Sequence, residues 1–397
     1  MNALAQRPVF LLISGVLALF IAMGVGRFAY TPILPYMLER QYFGDAGAGA
    51  LASANYAGYL AGAVMAAWFS GSGRRLVWLK LALVVSVLTT AMMGLTTHYP
   101  LWLTLRFVSG LAGAAVFVYA SGVVLDGLAG LRGFGSASGL FYGGVGAGIA
   151  ASGLVVPLLE ASFGWQGTWL GLALICAGLL SAAWLGLKEY GERSPVQLAF
   201  KPSGNDLPRL DLRMLRLQLV YGLEGLGYIV TGTFLVAYAE SVPAMKELSS
   251  WSWVLVGAAA VPSCWMWSKL QGFWGHERTL CFSMLLQAIG ILLPVVFPTV
   301  AGLTAGAILF GATFMGITAL AVSLARRLAV RDAGRSVGLV TAIYGAGQMA
   351  GPTAAGLLAT LTGSYRWSLT GAATIVLIGA CIIIIPIHAK GRSTCPM

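Results

Sequence analysis

Charged residues, and acidic ones above all, are scarce in this sequence. Asp and Glu together number 13 among 397 residues, Lys and Arg number 24, and charged residues make up only 9% of the chain. A soluble globular protein has about a quarter of its residues charged, so this composition excludes a soluble domain. The chain is 58% hydrophobic with a mean hydropathy of +0.84, which is typical of an integral membrane protein.

Sequence motifs for catalysis, metal binding and nucleotide binding are also missing. The five cysteines form no CxxC pair, four of them lie in apolar runs, and the three histidines form no cluster. The glycine-rich stretch GVGAGIA from Gly144 follows no predicted strand and lies inside an apolar run, which argues against a dinucleotide-binding turn. We therefore predict no enzyme activity, no metal site and no cofactor.

Apolar runs account for most of the chain, and a membrane-spanning helix needs about 20 such residues. Twelve runs meet this requirement, at residues 9–38, 46–69, 77–97, 100–126, 134–160, 167–187, 214–241, 250–271, 279–297, 300–328, 336–361 and 366–388. The first run is too long for a cleaved signal peptide. The long polar stretch 188–213 separates six runs from six. We predict an all-α membrane protein with six-helix bundles at 1–187 and 214–397, joined by a linker at 188–213.

The positions of the basic residues predict the orientation of the chain. If the N-terminus is cytoplasmic, 19 of the 24 Lys and Arg residues fall on the cytoplasmic side, and three (Arg40, Lys246 and Arg366) fall outside. Cytoplasmic loops collect basic residues, so both termini and the linker are predicted to be cytoplasmic. The net charge of +11 then reflects topology and does not require a nucleic-acid partner.

The two halves of the sequence contain similar segments at an offset near 200 residues. The segment GVGRFAY from Gly24 corresponds to GLGYIVT from Gly225. Three glycines of the first half, Gly144, Gly148 and Gly153, match Gly347, Gly351 and Gly356 of the second. Two parallel six-helix repeats are typical of a transporter built from two bundles.

The whole chain resembles the major facilitator superfamily in its helix count, central polar loop and repeated halves. The segment RFVSG from Arg106 resembles the arginine-containing motif that opens the fourth helix of that family. The segments GVGRFAYTPILPYM and YGLEGLGYIVTGTFL resemble the YbfB/YjiJ branch, whose substrates are largely unassigned. The resemblance implies two bundles, with the first and seventh helices facing each other across a central cavity, and transport by alternating access.

Three charged residues lie well inside the apolar runs: Arg27, Arg106 and Glu224. A charge at the bilayer centre costs about 2.5 to 3.5 kcal/mol on insertion scales, so each must face a partner or a wet cavity. The repeat aligns Glu224 with Met23, one helical turn from the level of Arg27. We predict that Arg27 binds an anionic substrate group and that Glu224 carries a proton or a cationic substrate group.

Other roles for these charges stay open at the level of sequence. Arg27 and Glu224 would also be compatible with a permanent structural ion pair, or with separate pairing to backbone carbonyls. Arg106 lies about six residues, or about 9 Å, from the outer end of its run, so its side chain can also reach the headgroup region.

Polar side chains near the same level complete the predicted substrate site. Spacing of three or four residues places several of them on shared helix faces. The predicted substrate-binding residues are Arg27, Tyr30, Thr31, Asn55, Tyr59, Arg106, Tyr142, Tyr228, Tyr344 and Gln348, with Glu224 as the proton-coupling residue. Ordinary packing or interhelical hydrogen bonds are the alternative for each of the uncharged ones.

These observations predict a proton-coupled secondary transporter that moves a small organic anion or zwitterion across the inner (plasma) membrane. The predicted partners are the substrate, protons and the lipid bilayer, and the protein is expected to be a monomer. The lack of a nucleotide-binding motif argues against an ATP-driven pump. One alternative is an efflux pump for amphipathic or cationic compounds, and a second is a membrane sensor that keeps the fold without transport.

Overall fold

The computed structural model describes residues 3–69, 74–128, 134–188, 211–329 and 333–385. Most of the predicted linker and the end of the chain lie outside these ranges. The described chain is helical: α1 Ala3–Leu19, α2 Tyr30–Glu39, α3 Asp45–Phe69, α4 Arg75–Leu95, α5 Tyr99–Leu128, α6 Phe134–Gly186, α7 Leu212–Ser241, α8 Ser249–Trp274, α9 His276–Val296, α10 Val300–Leu328, α11 Ala333–Thr362 and α12 Tyr365–Ile384. A π-helix, Phe20–Val25, follows α1, and a short 3₁₀-helix, Lys246–Leu248, precedes α8.

Within the described residues these helices make twelve crossings, as the apolar runs predict. α1, the π-helix and α2 form one crossing, whereas α6 forms two that meet at Gly164, where the backbone turns at φ 67°. By length and composition, eight stretches of the described chain qualify as membrane spans, and one of them is the doubled α6. The helices outside those stretches are α3, α8 and α11, which pack where the two halves of the molecule meet.

Packing divides the helices into two groups. In the first half α1 packs on α6, and α4 packs on α5 and α6, while α3 lies along α5. In the second half α7 lies between α11 and α12, α8 packs on α10, and α9 packs on α10 and α12. Within the described residues, the main contacts between the halves are those of α3 with α11, α6 with α8 and α2 with α7.

Glycines in both repeats let helices approach to backbone contact. A Cβ atom added at Gly24 would lie 2.5 Å from the Cα of Gly148, on α6. A Cβ atom added at Gly347, on α11, would lie 2.3 Å from the carbonyl oxygen of Gly222 and 3.3 Å from the carbonyl carbon of Gly225. Glycines of the sequence repeat therefore allow close approach of the first crossing to α6 in one half and of α7 to α11 in the other.

The first crossing is not a regular α-helix, and this irregularity shapes the site. In a π-helix each backbone N–H donates to the carbonyl oxygen five residues earlier. Two bonds of this kind have donors beyond the end of this π-helix: Gly26 N donates to Ile21 O at 2.8 Å, and Phe28 N donates to Met23 O at 3.3 Å. π-Helical turns inside α-helices are frequent at functional sites.

A proline explains why the regular pattern does not resume at once. Pro32 has no N–H, so the carbonyl of Phe28 cannot receive the usual bond from it. Thr31 N donates to Phe28 O instead, at 3.2 Å. It therefore does not form the regular α-helical hydrogen bond to Arg27 O. The carbonyls of Gly26 and Arg27 are left to be satisfied by side chains.

Candidate functional site

Arg27 lies in the turn between the π-helix and α2, with its side chain held between aromatic rings. Its guanidinium carbon is 4.4 Å from the ring centroid of Tyr59, 4.7 Å from Tyr56 and 5.1 Å from Phe28. Arg27 is 5% exposed, and its Nε and Nη2 atoms have no hydrogen-bond partner in the described part of the chain. Ring faces stabilise the cation but leave two N–H donors unused.

No acidic side chain neutralises this arginine within the described residues. The ion pairs found there are Arg75–Asp126, Arg216–Glu277 and Lys246–Glu240. An ion pair between Arg27 and Glu224, one of the alternatives left open by the sequence, is therefore not formed in this structure.

Arg106 satisfies the carbonyls that the irregular first crossing releases. From α5 its Nη1 donates to Gly26 O and its Nη2 donates to Arg27 O, each at 3.3 Å, and the guanidinium lies 4.7 Å from the ring of Tyr30. Ser109 Oγ adds a bond to Gly26 O at 3.1 Å. Arg106 is 1% exposed, so it does not reach the headgroups. Its terminal donors hold the backbone, while its Nε has no partner in the described chain, so its place among the substrate-binding residues stays a prediction.

Three more predicted site residues make interhelical hydrogen bonds. Asn55 Nδ2 donates to the carbonyl of Arg106 at 2.9 Å, Tyr30 OH to Ala48 O at 3.0 Å, and Thr31 Oγ1 to Gly232 O at 2.5 Å. The i+3 and i+4 spacing that grouped Tyr30 and Thr31 with Arg27 holds only for a regular α-helix, and the turn between them breaks that regularity. Thr31 instead links α2 to α7, across the two halves.

The predicted residues of the second half form a column of parallel rings. Tyr221 stacks on Tyr344 with centroids 4.0 Å apart and planes 7° apart. Tyr344 is 5.7 Å from Tyr228 at 4°, and Tyr228 is 6.1 Å from Phe314 at 8°. Gln348 Nε2 donates to the hydroxyl of Tyr228. The structure thus brings Tyr228, Tyr344 and Gln348 together.

This column meets the Arg27 group across the interface of the two halves. Phe314, which stacks on Tyr228, also contacts Phe28, the residue next to Arg27, and the sequence repeat gives Arg27 and Tyr228 equivalent positions. Phe28 lies 6.2 Å from Phe314 and 6.3 Å from Trp253, whose indole Nε1 has no hydrogen-bond partner in the described chain. Aromatic rings from both halves therefore surround one buried cation.

Tyr142 lies at the edge of this group. Its hydroxyl is 3.5 Å from Ser121 Oγ, and its ring packs 5.7 Å from that of Phe117. Tyr142 therefore supports the group from α6 without a contact to Arg27 among those described.

Glu224 lies away from Arg27, inside the second half. It is 1% exposed on α7, and its polar neighbour is Gln287, which is fully buried on α9. Glu224 Oε2 and both amide atoms of Gln287 have no well-formed hydrogen bond in the described chain. These two side chains form a buried pair with unused polar atoms.

Sequence reasoning missed several members of both groups. Tyr56 shares the α3 face of Tyr59 at a spacing of three, which the pattern i, i+3 could have shown. Gln287 is the single amide of the apolar run CFSMLLQAIGILL, and that isolation was its signal. Phe28, Phe314 and Trp253 carry no such signal, because aromatic residues are common in any apolar helix.

An all-helical chain that crosses the membrane many times, with a buried cation at the meeting of two similar halves, belongs to the class of multi-pass membrane transporters. Residues 19–384 match the family described as uncharacterised MFS-type transporter YbfB. The chain belongs to that family. It is thus an MFS-type transporter and not an enzyme, as the resemblance in its sequence predicts.

Solved structures support the same fold. The nucleoside transporter NupG is similar with a TM-score of 0.73 and 13% identity, over 94% of this chain and 99% of that chain. At this identity the likeness shows a shared fold and not a shared substrate. A search of curated protein sequences finds no match.

Proposed function

We propose that this protein is a proton-coupled secondary transporter that carries a small organic anion or zwitterion across the inner membrane, with both termini cytoplasmic. The proposal rests on the burial of Arg27 and on its unpaired N–H donors. This residue is a buried cation at the interface of two repeats, it has no acidic partner in the described chain, and two of its N–H donors are unused.

The geometry of those donors suits a carboxylate or a phosphate. The Nε–H group and the Nη2 group form one planar edge of a guanidinium, and this edge binds two oxygen atoms of an anion side by side. Leaving such donors buried and unpaired costs free energy, since a charged group pays a larger desolvation penalty than a neutral one. An anionic ligand removes that cost when it binds, which favours the occupied state.

Glu224 is the residue that we assign to the proton. It is the acid among the three deep charges, and arginine does not release its proton in this pH range. Its carboxylate has an unused oxygen and no cation within ion-pair distance in the described chain. Burial disfavours the charged form of a carboxylate, so a proton stabilises this site.

One helix connects the two sites. Glu224 and Tyr228 are separated by one turn of α7, and Tyr228 stacks on Phe314, which contacts Phe28 next to Arg27. A movement of α7 when substrate occupies Arg27 therefore also moves Glu224 relative to Gln287 on α9. This provides a physical link between substrate binding and protonation.

A ligand screen on purified protein tests the role of Arg27. We expect some members of a panel of monocarboxylates, dicarboxylates and phosphate monoesters to raise the unfolding temperature, because a ligand stabilises the state that it binds. Matched amides and alcohols should not. Arg27→Ala should abolish the shift, and Arg27→Lys should weaken it at least about tenfold in apparent affinity, since lysine has no planar two-donor edge.

The control is Arg366→Ala, which removes an exposed arginine outside the site. It should keep the wild-type response to every anion. If Arg27→Ala folds and responds to the same anions as wild type, Arg27 does not bind the substrate and the proposal is wrong.

A further inference from the structure

We propose that the substrate anion is aromatic: a planar ring bearing a carboxylate, with the carboxylate on Arg27 and the ring between the aromatic residues of the two halves. This inference rests on the proposed function, since it takes Arg27 as the anion site. It adds the chemical class of the rest of the molecule.

The first observation is the composition of the surroundings of Arg27. Three rings of the first half, those of Phe28, Tyr56 and Tyr59, lie within 5.1 Å of its guanidinium carbon. An anion bound at the unused Nε and Nη2 atoms would lie close to these rings. A flat molecule makes face or edge contacts with them, which a bulky saturated group cannot reproduce.

The second observation is independent and comes from the other half. Tyr221, Tyr344, Tyr228 and Phe314 stand with their planes within 8° of parallel from one ring to the next. Consecutive centroids beyond the first pair are 5.7 and 6.1 Å apart. The column presents a series of parallel rings that ends at Phe314, 6.2 Å from the ring of Phe28 next to Arg27. A further flat ring can join such an array by offset stacking.

An unpaired N–H donor in this region would suit a ligand that also carries a hydrogen-bond acceptor. Trp253 is 1% exposed, its ring lies 6.3 Å from that of Phe28, and its Nε1 has no partner in the described chain. A buried indole N–H usually finds a partner. A ring substituent with an oxygen atom would supply one, although the carboxylate on Arg27 is the primary contact.

The competing explanation is that the rings only shield the charge of Arg27. Cation–π contacts alone stabilise a buried arginine, and they would do so with or without substrate. The two explanations differ in what they predict for ligands of equal charge. Shielding gives no preference for a flat ring, whereas the proposed site does.

Benzoate and cyclohexanecarboxylate form the decisive pair of probes, since both carry one carboxylate on a six-membered ring. We expect the purified wild-type protein to bind benzoate at least about threefold more tightly in titration calorimetry, as one aromatic pair adds enough for that. Benzamide, which has the ring without the charge, should not bind measurably.

Variants at Tyr228 test whether the preference for benzoate depends on the ring of this residue. Tyr228→Phe and Tyr228→Leu both lose the hydroxyl that Gln348 contacts, but only the first keeps the ring. We expect Tyr228→Phe to keep the preference for benzoate and Tyr228→Leu to reduce it. Phe282→Leu, which removes a ring packed on Trp267 and Trp274 away from the site, should match wild type.

The outcomes separate this inference from the proposed function. If cyclohexanecarboxylate binds as tightly as benzoate and both need Arg27, the anion site stands and the aromatic class is wrong. If other anions bind through Arg27 but neither of these two does, the aromatic class is also wrong. If no anion binds in an Arg27-dependent way, the proposed function itself fails.

Discussion

At the scale of single residues, the two deep arginines have different roles although the sequence presents them alike. Arg106 gives its two terminal amino groups to the carbonyls of Gly26 and Arg27 and leaves only Nε without a partner in the described chain, whereas Arg27 leaves both Nε and Nη2 unused. Both lie next to aromatic rings. The number of unpaired donors, and not depth in the membrane, therefore separates a structural arginine from a candidate binding residue.

Replacing Arg106 should affect stability more than recognition. Arg106→Met keeps a long side chain but leaves two buried carbonyls with one donor fewer each, and an unsatisfied buried group costs about 1 to 3 kcal/mol. We expect a lower unfolding temperature in detergent, measured by differential scanning fluorimetry, with anion binding kept at temperatures where the variant is folded. A variant as stable as wild type that no longer binds anions would return Arg106 to the substrate site.

At the scale of helices, the crossings follow directly from the sequence because a backbone in lipid must satisfy its own hydrogen bonds. Runs of about 20 apolar residues therefore become helices, and the deep charges are visible because they are costly there. The surroundings of Arg27 were harder to predict from the sequence. The π-helix and Pro32 change which residues share a face, so the spacing rule failed for Tyr30 and Thr31. Gln287 was missed because its neighbour Glu224 is on another helix.

Two glycines on α5 provide a matched test of how closely α3 and α5 pack. A Cβ atom at Gly110 would lie 1.9 Å from the carbonyl oxygen of Asn55, so the backbones would have to move apart. At Gly113 the nearest atom, Ala22 O, is 3.6 Å away, which is ordinary contact. We expect Gly110→Ala to destabilise the protein by about 1 to 3 kcal/mol, and Gly113→Ala to change little.

Thermal unfolding of the two variants, side by side, measures this difference. Because Asn55 also contacts Arg106, Gly110→Ala should in addition disturb the turn that carries Arg27. Equal stability of the two variants would show that α3 and α5 do not depend on this close approach.

At the scale of the whole molecule, the two halves are in contact near the loop between α2 and α3. Thr353 Oγ1 donates to Ser53 Oγ at 2.7 Å, Ala46 N donates to Thr360 Oγ1 at 3.1 Å, and Tyr365 OH donates to Asp45. These bonds join α3 to α11 and α12. Under the proposed topology this end faces outward, so these bonds hold the two halves together on the outer side. Alternating access requires these contacts to separate.

Cysteine labelling tests the orientation on which that statement depends. Ser203→Cys, in the linker outside the described residues, and Gln41→Cys, in the loop after α2, are expected to lie on opposite sides of the membrane. A membrane-impermeant thiol reagent added to intact cells should label Gln41→Cys and leave Ser203→Cys unlabelled. Labelling of Ser203→Cys from outside, above the background of the native cysteines, would reverse the topology.

The central claim is a division of labour, with the anion on Arg27 of the first half and the proton on Glu224 of the second. It is tested most directly in proteoliposomes with the anion that stabilises wild type most. Glu224→Gln mimics the protonated carboxyl group, so it should still exchange labelled for unlabelled anion across the membrane. It should lose accumulation driven by an imposed pH gradient, which wild type shows. Full gradient-driven accumulation by Glu224→Gln would contradict the account, because the proton would then be carried elsewhere.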